Sequence, residues 1–215
     1  MHAAEQAVHI PADHATLEGD LTMPPGASGV VVFAHGSGSS RHSSRNRYVA
    51  GQLQARRLAT LLIDLLTPGE EEIDLATREL RFDIELLAAR VRAAVAWLTA
   101  QAETRDMRVG LFGASTGGGA ALVAAAADPD RIAAVVSRGG RPDLAGPALP
   151  LVRAPTLLIV GGRDVPVIAL NEQAMARMRC EVRLEIVPGA THLFEEPGAL
   201  ERVADLARGW FGGHL

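Results

Sequence analysis

Apolar residues fall along the chain in short runs bounded by glycine or proline, over 30–34, 58–66, 109–112, 132–136, 156–160 and 182–187. Runs of this length without polar alternation predict strands buried on both faces. Between them the apolar positions take a helical period. Ile84, Leu87, Ala88, Val91, Val95 and Leu98 make one stripe, and Leu200, Val203, Leu206, Ala207 and Trp210 make a second. Strands separated by helices predict an α/β fold whose mostly parallel sheet is covered on both faces. Residues 16–23 alternate more clearly and run into Pro24-Pro25-Gly26, which suits an antiparallel edge strand. Residues 1–14 read as a flexible segment or a further edge strand. The polar stretch 67–81 reads as a loop with a helical turn, leaving little material for a large lid.

No repeat, linker or composition break divides the 215 residues, so the reading is one domain over 1–215. Composition narrows the function further. A net charge of −4, with basic residues scattered among acidic ones, gathers no basic face for nucleic acid. A single cysteine, Cys180, excludes an internal disulfide, and the N-terminal stretch lacks the basic and apolar regions of a secretory signal, so the cytoplasm is the expected location. Charged residues or glycine interrupt every apolar run before the roughly 18 residues of a membrane span. No membrane partner is expected.

The chemistry starts after the run 109–112. There Gly113-Ala114-Ser115-Thr116-Gly117 joins a strand to the small-residue run Gly118-Gly119-Ala120-Ala121-Leu122-Val123, which reads as a helix. Strand, GxSxG, helix is the arrangement that lifts a serine hydroxyl clear of a sheet, with glycines where side chains would collide. It also sets the N–H of Thr116 at a helix N-terminus, where it can meet a developing oxyanion. The bland alternative is a small-residue turn that packs helix on strand.

A serine needs a base and a group to orient it. Of seven histidines, His2, His9, His14 and His214 lie in the terminal segments, whereas His192 follows the last strand run in Val187-Pro188-Gly189-Ala190-Thr191-His192. Asp164, in Gly161-Gly162-Arg163-Asp164, leaves the preceding strand run and gives the chain order Ser, Asp, His. Asp143 leaves an earlier strand in a similar setting and is the competing acid; either aspartate could instead be an ordinary turn residue or helix cap. The second oxyanion donor is expected in His35-Gly36-Ser37-Gly38, at the N–H of Ser37, with His35 a buried structural histidine. Arg41 and Arg45 are candidates for meeting a substrate anion, since guanidinium pairs well with carboxylate or phosphate; tying the loop down is the other role open to them. No histidine pair has metal-ligand spacing, so no metal is expected.

With these motifs in place, His35-Gly36-Ser37-Gly38 after an early strand, GASTG at 113–117, GGRDVPV at 161–167 and GATHLF at 189–194, the chain resembles the α/β-hydrolase superfamily, and within it the small lidless branch of the dienelactone hydrolases, over nearly its whole length. The resemblance implies seven or eight strands, cofactor-free two-step acyl transfer to water, and nucleophile, acid and base at Ser115, Asp164 and His192. Dienelactone hydrolases carry cysteine at the elbow, so Ser115 favours an ordinary esterase acting on a small-molecule ester. Two other readings stand beside it. Gly113 to Gly119 also fits the GxxxGxG spacing of some NAD(P)-dependent reductases, though several strands precede it where one is expected. A non-catalytic binding protein on the same fold is the other. The sequence leaves a homodimer open.

Overall fold

The computed structural model describes residues 4–215. Eight strands form one sheet: β1 (Glu5–Ala12), β2 (Ala15–Thr22), β3 (Gly29–Ala34), β4 (Leu58–Ile63), β5 (Arg108–Ala114), β6 (Ile132–Arg138), β7 (Thr156–Gly161) and β8 (Val182–Val187). Their spatial order is β1-β2-β4-β3-β5-β6-β7-β8, antiparallel at β1-β2-β4 and parallel from β4 onward. Residues 16–23 do belong to an antiparallel strand, but β1 is the edge and β2 lies inside it. The alternating pattern of β2 reads correctly as antiparallel; its neighbour was decided by pairing, which no local pattern encodes.

Six helices flank the sheet: α1 (Ser44–Gln54), α2 (Pro68–Thr77), α3 (Ile84–Ala100), α4 (Thr116–Ala127), α5 (Val165–Met175) and α6 (Ala199–His214), with 3₁₀ turns at Leu80–Phe82 and Pro142–Leu151. The central strands are buried throughout because both their faces are covered. Val30, Val32 and Ala34 of β3 pack with α3 and α4, while Val31 and Phe33 pack with α1 and α6. This is why β3 shows no alternation.

Helix starts follow local chemistry. Thr67 and Glu70 form a reciprocal capping box on α2, with Pro68 in its first turn, and Asp83 accepts from the N–H of Leu86 to open α3. Among the described residues no helix is long and apolar enough to cross a membrane.

Candidate active site

In a parallel sheet, loops leaving the carboxyl ends of neighbouring strands meet at one edge. Here β3 delivers Ser37, β5 delivers Ser115, β6 delivers Arg138, β7 delivers Asp164, and the turn after β8 delivers His192.

Ser115 holds φ 51° and ψ −121°, a backbone conformation that non-glycine residues rarely adopt. The glycines around it make the bend feasible. A β-carbon on Gly113 would lie 2.4 Å from the carbonyl oxygen of Gly117, and one on Gly117 would lie 2.3 Å from that of Ala34. These glycines are therefore spent on packing α4 against β5 and β3, which accounts for them without a dinucleotide.

Serine and aspartate at a helix start ordinarily turn their oxygens onto the helix N–H groups. Ser115 precedes α4 and Asp164 precedes α5, yet neither side chain caps its helix. The Asp164 carboxylate instead meets His192, Oδ2 to Nδ1 at 2.6 Å. Nδ1 donates in that bond, which leaves Nε2 as the acceptor of a proton. Asp164 is mostly buried and His192 about a third exposed, so the acid is shielded while the imidazole reaches the surface of the site. Asp143 is committed elsewhere: the Arg141 guanidinium grips it with Nε to Oδ1 at 2.8 Å and Nη2 to Oδ2 at 2.7 Å.

Ser115 and His192 are linked through the end of β6. The N–H of Ser115 donates to the carbonyl of Arg138 at 3.2 Å. The next residue, Gly139, lies against His192, where a β-carbon would come 3.1 Å from the histidine carbonyl oxygen and 3.6 Å from Cε1.

Ser37 and Thr116 line one cavity of about 130 Å³, with Leu65, Leu66, Leu75 and Leu87 as its apolar wall and Glu71 and Arg81 among its polar lining. Thr116 opens α4, so its N–H has no acceptor one turn back. Gly36, beside Ser37, packs so closely on the elbow that a β-carbon there would meet Ser115 Cβ at 3.0 Å.

His35 is buried. The N–H of Leu65 donates to its Nε2 at 3.0 Å, and its Nδ1 donates to the carbonyl of Gly36 at 2.8 Å. Burial pushes its imidazole below the ordinary histidine range, only partly offset by the bond to Gly36 and the charge of Asp64. Both ring nitrogens are occupied in holding the loop after β3 to the strand end of β4.

Of the two roles open to Arg41, its contacts match tying the loop down. Its guanidinium pairs with Asp64 and with Glu18 at 2.7 Å, and its N–H donates to Asp64 at 2.6 Å. The charge is already met by protein carboxylates, so Arg41 ties its loop to the sheet. Arg45 meets the loop after His192, with Nη1 3.6 Å from Glu195 Oε1. Sequence reasoning missed the cavity wall and Arg138, because neither follows from a local motif.

The comparisons with known proteins bear directly on this geometry. The model of the Dienelactone hydrolase family matches residues 18–208. The chain belongs to the dienelactone hydrolase family. The crystal structure of a dienelactone hydrolase from Anabaena variabilis is 62% identical, covers 100% of both chains and superposes with a TM-score of 0.98. An alpha-beta serine hydrolase homologue from Coxiella burnetii, 17% identical over 95% of this chain and 96% of its own, shares the fold with a TM-score of 0.78. A Mycobacterium tuberculosis protein, named provisionally as a phosphoribosyl transferase, is 57% identical over 211 residues, 98% of this chain and 47% of its own length. The chain thus spans about half the length of the curated relatives it matches. Family and neighbours agree on the α/β-hydrolase fold for this chain.

Proposed function

We propose that this protein is a serine esterase that cleaves small esters through an acyl-enzyme. One observation carries the reading: Asp164 and Ser115 both stand where they should cap helices, and neither does, while Asp164 holds His192 by Nδ1 and leaves Nε2 to act as base. Ser115 Oγ attacks the ester carbonyl as His192 takes its proton, and the N–H groups of Ser37 and Thr116 meet the oxyanion. The leaving alcohol collects that proton, and water activated by the same imidazole releases the acid. No cofactor or metal enters this scheme.

The cavity beside the two N–H groups sets the scale of the substrate. A dry cavity of about 150 Å³ holds benzene, so about 130 Å³ suits one ring or a short branched chain. The phosphoribosyl chemistry in the name of the mycobacterial relatives is not carried over, because more than half of their length lies outside the match.

The test is hydrolysis of aryl acetate and benzoate esters by wild type and by Ser115→Ala, with labelling by a serine-directed phosphonate. We expect a loss on the order of 10⁴ to 10⁶ in turnover and no label on the variant. Near-normal turnover in Ser115→Ala overturns the reading.

A further inference from the structure

Arg138 closes β6 at the catalytic edge, and 6% of its surface is exposed. Among the described residues no carboxylate pairs with it. Nη2 donates to Asn46 Oδ1 at 3.1 Å, Nε is buried without an acceptor, and the guanidinium carbon lies 5.9 Å from the centre of the Phe194 ring. Burial, with the like charge of Arg45 nearby, pushes the side chain down to about 10. A buried cation without a counter-ion destabilises a fold, and apolar replacements at such positions are often neutral or stabilising. Stability alone therefore gives no reason for an arginine here.

What Arg138 joins supplies one. Its backbone carbonyl receives the N–H of Ser115, the nucleophile. Its side chain lies over the face of Phe194, two residues beyond His192, the base. Phe194 is fully buried and holds φ 56°, in the left-handed region that bulky residues avoid. The loop after β8 is thus kept in a strained path and needs an outside contact to stay there. A guanidinium over an aromatic face supplies one, stronger where both groups are desolvated. Gly139, next in the chain, packs against the same loop: a β-carbon on it would come 3.4 Å from the Phe194 ring and 3.1 Å from the His192 carbonyl oxygen.

We propose that Arg138 is a positioning residue: by its carbonyl on Ser115 and its guanidinium over Phe194 it braces the elbow and the His192 loop into one unit. The kinetic part of the claim rests on the esterase reading; the structural part does not. Arg138→Met keeps the stem and removes the planar cation. Backbone amide hydrogen exchange over 191–196 should then quicken by about tenfold or more while the sheet is unchanged, reporting local opening of this loop. In the same variant kcat should fall by about 10- to 100-fold with KM within about threefold, as expected for a misplaced base. The melting temperature should hold or rise, since an unpaired buried charge has gone. Arg138→Lys, which retains charge but not the flat face, should lie between wild type and Met in both exchange and kcat. Phe194→Leu, made from the other side of the contact, should quicken the same amides and add little to Arg138→Met. Unchanged exchange over 191–196, a clear drop in melting temperature, or a raised KM with kcat intact each overturns the proposal, the last by marking Arg138 as a holder of substrate. A wild type inert to every ester and to the phosphonate would defeat the esterase reading alone, and the exchange measurements would still decide the brace.

Discussion

Asp164 and Asp143 leave neighbouring strands through similar glycine-rich turns, yet one carboxylate holds an imidazole and the other a guanidinium. The difference predicts their mutants. Asp164→Asn should lower kcat by about 10⁴, because an amide can stabilise the wrong tautomer and cannot support the imidazolium. Asp143→Asn should stay within about tenfold of wild type, since its partner lies outside the proton path. Turnover at equal folded concentration checks both, and a larger loss at Asp143 reverses the assignment. His35 carries a prediction of its own. Its folded-state affinity for protons is lowered by burial, so below about 6.5 the unfolded chain binds a proton that the folded chain refuses. Stability contributed at this residue is complete above that pH and is lost as the pH falls through it. Melting temperature measured from about pH 7 to about pH 5 should therefore fall less steeply in His35→Asn than in wild type. Parallel curves would show that the buried imidazole does not titrate in this way.

At the scale of elements, α2 shows what a pattern of hydrophobic positions can miss. The segment is too acidic to show an apolar stripe, and it reads as a loop with a turn. The signal that could have found it was in its first four residues: Thr67, Pro68, Gly69 and Glu70 spell a capping box with proline at the first helical position. Thr67→Ala should cost about 0.5–2 kcal/mol in denaturant unfolding if the cap is worth what such caps usually are. The stripe of α3 was legible throughout because its apolar residues face the sheet, and Leu98 is fully buried at its end. Leu98→Ala should cost about 2–5 kcal/mol, the transfer of the side chain plus the cavity it leaves. A loss under about 1 kcal/mol would mean that the α3 end is not packed as described.

For the whole molecule, the sheet order decides the site. β3, β5, β6, β7 and β8 lie side by side and parallel, so Ser37, Ser115, Arg138, Asp164 and His192, spread over more than 150 positions, arrive at one edge. The close approach of α4 to β3 is part of this: Gly117 has no room for a β-carbon against the carbonyls of Ala34 and His35. Gly117→Val should therefore abolish folding or activity together, read by circular dichroism and turnover; a folded and active variant would contradict the tight crossing.

Sequence by itself read the α/β class, seven of the eight strands, three helices, and Ser115, Asp164 and His192 as a candidate triad, because each rests on short-range rules: apolar period, glycine at a sharp bend, chain order. It placed the 58–66 strand three residues too long, since Asp64 breaks the apolar run without ending it and only pairing to β3 and β2 fixes the stop at Ile63. It kept Asp143 beside Asp164 as a competing acid, left two roles open to Arg41, and passed over Arg138. Those choices belong to tertiary structure, because a charged side chain is defined by what faces it, and Asp64, Glu18, Asn46 and Phe194 come from parts of the chain that local spacing never brings together.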